Sequence, residues 1–445
     1  MYTYTKKLPI FASVDVLVVG SGSAGSTAAI AAARLARRRL PQSRVMLLER
    51  YGFLGGTSTA VLDTFYGFFT PGAQPKKIVS GVADDLIDEL RRIDSVIERP
   101  NTFGAGTGIT YNPEFLKIAW ERLALEAGVE ILLHSFVTDV ILEGDRIAGV
   151  IVDGKSGLGA IQARCIIDAT GDADVAARCD VPFERAGEIS PAQTLTTTFR
   201  LANVDVRRAT SMPRKEFIER MEHAAESGQY DLPRREGSIH ITPIASVMAT
   251  IMTRVSVSDP TDTFDMTSAE IQGRSQALEY ERFLRDMIPG YEHAHIVAFS
   301  TQIGVRESRR IYGEYRLTRE DVLDARKFED SVGLCGAPIE DHHTGRDTRW
   351  SYLPEGEAVS IPYRSLVPQK AEGLLVAGRC FSATHDAHAS VRSMAQCMAM
   401  GQAAGIAAAL SLDQHTTPRA LPYARLRDAL LAAGATLEIQ RTVHV

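Results

Sequence analysis

His385 and His388 stand three positions apart in a His-Asp-Ala-His run, and Arg392 follows four residues later. An imidazole titrates near neutral pH, so it can take or give a proton while a hydride moves at a neighbouring atom. A guanidinium can grip a carboxylate with two parallel hydrogen bonds. The bland reading makes the same residues hydrogen-bonded scaffold at a strand–helix junction. A second cluster, Glu340-Asp341-His342-His343, lies upstream, and Arg306-Glu307-Ser308-Arg309-Arg310 lies further upstream still. Neighbouring side chains on a strand point to opposite faces, so the paired histidines are not expected to share an ion and no metal site is predicted. Within the arginine run, Arg306 is the candidate substrate ligand, and Arg309 and Arg310 read as structural.

Groups of this kind need something to act on, and the opening of the chain supplies it. Gly20-Ser21-Gly22-Ser23-Ala24-Gly25 is a GxGxxG match. It follows the apolar run Val14–Gly20, which has the texture of a parallel strand covered on both faces, and it opens an alanine-rich helix over Ser26–Arg39. Arg44–Glu49 then reads as a second buried strand, which completes a βαβ unit. In that setting Gly20 permits the tight turn, Gly22 lets backbone approach a pyrophosphate, and Gly25 lets helix and strand pack closely. Ser23 and Ala24 begin the helix whose free N–H groups face the phosphates. Glu49 lies 24 residues after Gly25, where a carboxylate can accept from a ribose hydroxyl, with Arg50 beside it.

Three further features favour FAD over NAD. Leu54-Gly55-Gly56-Thr57 allows a second close backbone approach soon after Glu49. Asp168-Ala169-Thr170-Gly171-Asp172 follows a later strand and can close over the nucleotide end. Leu375-Val376-Ala377-Gly378-Arg379 returns the chain to the same sheet, and a following helix can aim its dipole at a flavin ring.

The chain has 445 residues, enough for two to three domains. Hydrophobic residues make up 45% and the net charge is −6, which argues against disorder and against nucleic-acid or anionic-membrane binding. Five cysteines without a CxxC pair fit a reducing compartment, so Cys380 and Cys397 read as packing residues. No signal-like apolar run precedes Val14, and no stretch reaches the roughly 18 apolar residues of a spanning helix. The expected localisation is cytoplasmic.

Ile78–Arg92 and Pro113–Ala127 have helical spacing, and Gly104–Gly108 between them reads as loop. From about Phe183 the rhythm changes. Thr194–Leu201 alternates like a half-exposed strand, and Ser268–Met287 is an amphipathic helix stopped by Pro289-Gly290. The strand–glycine–helix texture returns at Leu374. The predicted fold is α/β: a Rossmann-like, doubly wound, discontinuous FAD-binding domain over 1–182 and 356–445, with an inserted mixed α+β substrate domain over 183–355.

Six stretches carry a resemblance to a known family: VDVLVVGSGSAGSTAAIAAAR, LLERYGFLGGTSTAVLDTFYGFF, CIIDATGDADVAARCDVPFE, QIGVRESRRIYGEYRLTREDV, IPYRSLVPQKAEGLLVAGRC and SATHDAHASVRSMAQCMAMGQAAG. In this order they resemble the FAD-dependent oxidoreductases whose FAD domain is like that of glutathione reductase. The resemblance implies that Gly20, Gly22, Gly25 and Glu49 hold the ADP half. It implies that Gly56, Thr57 and the segment from Gly378 and Arg379 to Asp386 hold the pyrophosphate and ribityl chain, and that Val137 touches adenine. Ala169, Thr170 and Gly171 join this set. Thr57 and Met394 depart from the family's usual pattern, which shifts the start of the ring-side helix. There is no second strand–GxGxxG–helix unit and no CxxC, so electrons are expected to pass between flavin and a small polar or anionic substrate, then to a separate acceptor or donor. Alternatives are a flavin monooxygenase and a partner-dependent electron-transfer flavoprotein. A homo-oligomer is compatible with either.

Overall fold

In the computed structural model, residues 2–3, 5–343 and 348–439 are described. The apolar opening run forms β1 (Ile10–Val19), four residues earlier than its hydrophobicity suggests. The extension is a backbone effect: Ile10 to Ser13 pair with a neighbouring strand while their side chains stay largely outside the core. Then come α1 (Ser23–Arg39), β2 (Val45–Leu48), α2 (Val82–Ile93), α3 (Pro113–Ala127), β3 (Glu130–Leu132), β4 (Phe136–Glu143), β5 (Arg146–Asp153) and β6 (Gly159–Asp168). The sheet order is β3-β2-β1-β6-β5-β4, parallel up to β6 and antiparallel after it. Both faces of β1 are buried: Val16 and Val18 meet the helices, while Leu17 and Val19 join the core under β4 and β5. That two-sided burial is why the strand reads as an unbroken apolar run. The boundaries of α3 follow from its end residues. The Asn112 side chain accepts from the Glu114 N–H, Pro113 occupies the first turn, and Gly128 ends the helix at φ 89°.

Two short strands, Phe183–Arg185 and Arg309–Ile311, pair antiparallel where the chain leaves the large sheet and comes back to it. Between them β7 (Phe199–Ala202), β8 (Ser238–Ile241), β9 (Met248–Ile251) and β10 (His295–Phe299) form an antiparallel sheet in the order β8-β9-β7-β10. The long helix α4 (Thr263–Met287) belongs to the same unit; its Ala277, Tyr280, Phe283 and Leu284 share a core with Phe199, Leu201 and Met248. It starts before Ser268 because the Asp262 carboxylate accepts from the N–H groups of Phe264 and Asp265.

Two expectations change here. Thr194–Leu201 is not half-exposed. Its threonines are buried, and the hydroxyls of Thr194, Thr196 and Thr198 bond to backbone carbonyls, which hides their polarity. The apolar side chains also divide differently from the boundary at 355. Side chains from Leu317 to Ile361 pack into the large core with α1 and α3, while those from Phe199 to Ala294 form a core of their own.

The chain then rejoins the large sheet as β11 (Leu374–Val376), parallel to the end of β6. It continues into α5 (His385–Val391) and, after a break at Arg392 and Ser393, α6 (Met394–Asp413). The break leaves Arg392 and Ser393 outside both helices. Among the described residues α6 is the helix long and apolar enough to cross a membrane, but 94% of its apolar window is buried in the protein, as in a core helix. It lies directly against α1. A Cβ on Gly401 would come within 2.0 Å of the Ala24 carbonyl oxygen, and one on Gly405 within 2.1 Å of the Ala28 carbonyl oxygen. Glycines on one helix and alanines on the other let the backbones touch, which brings the N-termini of both helices to one place.

Candidate functional site

That place opens on a cavity of about 880 Å³, bounded by the large sheet, both helix starts and the inserted unit. One end is made of backbone. Gly20, Gly22, Ser23 and Ala24 line it, together with Gly56 and Thr57. No side chain caps the start of α1, so its N–H groups are left for a ligand. The glycines have separate tasks. Gly20 has φ +90°, and a Cβ on Gly25 would lie 1.7 Å from the Gly20 carbonyl oxygen, so Gly25 serves packing and lies behind the cavity wall. A Cβ on Gly22 would meet nothing within 4 Å; it would enter the cavity. The Gly55 N–H donates to the Ser21 carbonyl, which seats the Gly56 backbone against Gly22.

Glu49 follows the end of β2 and is buried. Its Oε2 accepts from the Ser21 N–H at 2.8 Å and the Ser21 hydroxyl at 2.6 Å, and Oε1 accepts from the Tyr51 N–H at 2.9 Å. A carboxylate accepts about four hydrogen bonds, so one position is left over. Arg50 lines the rim and donates to Gln302, linking β2 to the return from the insertion. Val137 lines this end next to a bulge in β4. Ala169, Thr170 and Gly171 form the adjoining wall. Their turn is fixed by Asp168, which accepts from the N–H groups of Thr170, Val175 and Ala176 and from the Thr170 hydroxyl. Gly378 and Arg379 cross beside Ala24, and Arg379 donates to Asp172 and Ser308.

The other end is made of side chains. Arg392, Ser393, Met394 and Cys397 line it at the start of α6, which no side chain caps. Arg306 and Arg392 are both on this wall. Arg306 donates to the Thr194 carbonyl at 2.6 Å and the Thr196 hydroxyl at 2.7 Å. Arg392 donates to Gln193 at 3.1 Å, and its Nε has no partner. Among the described residues neither has a carboxylate within 4.0 Å. Burial, then the neighbouring guanidiniums of Arg392 and Arg234, push Arg306 well below its ordinary pKa. Glu340 and His342 complete this wall. Burial opposes ionisation of Glu340, but His342 and then Arg392 and Arg306 hold it down to about 2. His342 is pushed down to about 3 by burial and by Arg306, so it is neutral. Tyr66 and Arg99 face the same space, and Arg99 donates to the Tyr66 oxygen at 2.6 Å.

The histidine expectation changes. His388 is fully buried and off the cavity wall, with Nε2 2.7 Å from the Arg379 carbonyl; burial and nearby Arg310 push its pKa well down. That geometry fixes the Gly378–Arg379 turn and reaches no substrate. His385 also lies behind the wall, between Glu307 (2.9 Å) and Asp341 (3.3 Å). Burial works against its charge, but the two carboxylates raise it to about 9. Asp386 points away and pairs with Arg319 at 2.9 Å, so it does not reach the ribityl position expected of it. Because a strand alternates faces, Glu340 turns to the cavity while Asp341 turns to His385.

A profile of the family described as FAD dependent oxidoreductase matches residues 15–430. The chain belongs to this family. Thiamine thiazole synthase from Methanococcus maripaludis strain C6 is 34% identical over 168 residues, which are 36% of this chain and 56% of that protein. The same enzyme from Aeropyrum pernix is 31% identical over 176 residues, 37% of this chain and 57% of that protein. The chain thus spans a little over half the length of these relatives. The solved structure of the flavin-dependent brominase Bmp2 aligns with a TM-score of 0.50 at 14% identity, covering 94% of this chain and 83% of that one; the likeness is one of fold.

As an FAD-dependent oxidoreductase the chain binds FAD, and the residues present fit it. The cradle at Gly22 and Gly56, which side chains would fill, suits a pyrophosphate. The uncapped start of α6 suits the ring end, where positive helix potential stabilises charge on a reduced flavin. Arg99 and Arg234 line the cavity and Gln193 accepts from Arg392 behind it; none was visible in the sequence, since each sits in a segment with no motif. Tyr66 falls inside a family-like stretch, but nothing local marks it as facing the cavity.

Proposed function

We propose that this FAD-dependent oxidoreductase carries out a two-electron oxidation or reduction of a small anionic organic molecule held between the ring end of the cofactor and the inserted sheet. One observation carries the reading: the glycine-built end of the cavity runs into the buried guanidiniums of Arg306 and Arg392, which among the described residues form no ion pair within 4.0 Å. A buried unpaired charge is costly, so an anionic ligand there is favoured. Bound FAD supplies the two-electron acceptor or donor.

Arg306 and Arg392 hold the anionic group. Arg306 is fixed by Thr194 and Thr196. Arg392 is fixed by Gln193, whose N–H donates to Glu307, the partner of His385. His385 is therefore a positioning residue. Tyr66 handles the proton: with Arg99 donating to its oxygen, the phenol hydrogen is left for the cavity. Burial pushes Tyr66 up, so it stays protonated at neutral pH.

The test is anaerobic titration of the flavin-loaded protein with alcohols, amines, hydroxy acids and enoates, read as loss of visible flavin absorbance. A carboxylate-bearing member should reduce the flavin, and Tyr66→Phe should slow that reduction about 100-fold without changing flavin content. Reduction by neutral compounds alone would overturn the anion assignment. Reduction only by a nicotinamide nucleotide, with oxygen consumed, would favour the monooxygenase reading.

A further inference from the structure

We infer that the substrate is a dicarboxylate, with one carboxylate on Arg392 and Arg306 and the other on Arg234 of the inserted unit. The inference rests on the anionic-substrate reading above and adds a second anchor.

Arg234 comes from the loop before β8 and lines the same cavity. The Arg234 N–H donates to the Tyr280 hydroxyl at 2.8 Å, and that hydroxyl donates to the Arg234 carbonyl at 2.7 Å. Tyr280 is itself fully buried in α4, so the loop is set before any ligand arrives. The Arg234 side chain bonds one carbonyl, that of Ile251 at 3.2 Å, and its Nε has no partner. Its nearest carboxylate, Glu236, is 4.0 Å away and accepts instead from the N–H and hydroxyl of Thr348.

Charge on the wall points the same way. Among the described residues, the guanidiniums of Arg392, Arg234 and Arg254 oppose the charge on Arg306, and the Glu340 carboxylate supports it. His342 adds no charge. A monocarboxylate on Arg392 and Arg306 leaves the unpartnered Nε of Arg234 unmet; a dicarboxylate can meet both places. Arg392, at the break between α5 and α6, and Arg234, on the inserted loop, come from distant parts of the chain, and both lie near enough to Arg306 to depress its pKa. That placement suits two groups joined by a short carbon chain better than one compact dianion.

The experiment uses the flavin-loaded protein at fixed ionic strength with succinate, glutarate, butyrate and inorganic phosphate. Binding is read by flavin difference spectra and, separately, by calorimetry. Succinate or glutarate should bind at least tenfold tighter than butyrate, and tighter than phosphate. R234Q should erase that advantage while leaving butyrate affinity within about twofold, since charge-assisted hydrogen bonds contribute that much. E236Q keeps the arginine and removes its neighbouring charge, so it should tighten the dicarboxylate and leave butyrate unchanged; this decides the matter if R234Q folds poorly. Equal affinities for succinate and butyrate, phosphate binding as tightly as succinate, or an E236Q protein with unchanged dicarboxylate affinity would each overturn the inference. Failure here with flavin still reduced by a monocarboxylate leaves the proposed function standing. Failure of the proposed function shows separately, as flavin that only uncharged compounds or a nicotinamide nucleotide reduce.

Discussion

The two ends of the cavity are built from different materials. The nucleotide end is backbone: glycines at 20, 22 and 56, helix N–H groups, and one carboxylate anchored by Ser21 and Tyr51. The substrate end is side chains drawn from distant segments, with Arg234, Arg306, Glu340 and Arg392 meeting from four parts of the chain. Backbone sites depend on conformations that few residues allow, so local sequence marks them. Side-chain sites depend on who meets whom, and a buried ionic frame must hold the meeting in place. The contrast teaches that the second end needs support behind it, and that support is where it is most fragile.

The sharpest way to break the contrast is to remove that frame. Arg310 is 2% exposed and pairs with Glu184 and Glu307. Arg310→Met leaves Glu184 with Arg316 and Glu307 with His385 but removes the cation that joins them, and should cost about 3 kcal/mol of stability, read from the urea midpoint. A loss below 1 kcal/mol would mean that the frame is dispensable.

A finer probe is His385, lifted from 6.5 to about 9 by Asp341 and Glu307. Its folded pKa lies above its unfolded one, so its contribution is complete below about pH 6.5 and is lost as pH rises through about 9. The stability of the wild type should therefore fall relative to His385→Gln across that window, by at most about 3 kcal/mol. Parallel pH curves for the two proteins would show that the imidazole carries no extra proton.

The smallest effect on the fold belongs to the backbone end. A Cβ on Gly22 meets no atom within 4 Å and points into the cavity, so with Gly22→Glu the apo-protein should keep its Tm within about 2 °C, while flavin affinity drops at least tenfold. Gly25→Ala, with its 1.7 Å clash, should lose stability and flavin together. If the two variants behaved alike, the division of labour between the glycines would be wrong.

Much of the nucleotide end was legible in the sequence. The glycine spacing, Glu49 and the later turns at Ala169 and Gly378 are short-range signals, and their structural places follow from local conformation. Arg306 and Arg392 were legible as charged residues in family-like stretches. The histidines misled because the sequence shows that an imidazole is near a site but not which way it faces; α5 turns His388 onto the Arg379 carbonyl and His385 onto two carboxylates. Arg234 and Gln193 carry no local signal at all, since their role is created by tertiary contact with Tyr280 and Arg392. The threonines of 194–198 imitate a surface strand because the sequence cannot show that their hydroxyls find carbonyls.

The pair of short strands Phe183–Arg185 and Arg309–Ile311 makes the inserted unit a cassette on a narrow neck. The neck is stitched by the Glu184–Arg310 ion pair across its ladder. The sheet β7–β10 and helix α4 can be exchanged without rethreading the large sheet, since that sheet's own strands lie outside the neck. Donor segments grafted between residues 199 and 299 would retune chemical preference while leaving Gln193, Arg306 and Glu307 in place to hold Arg392, the anion and His385.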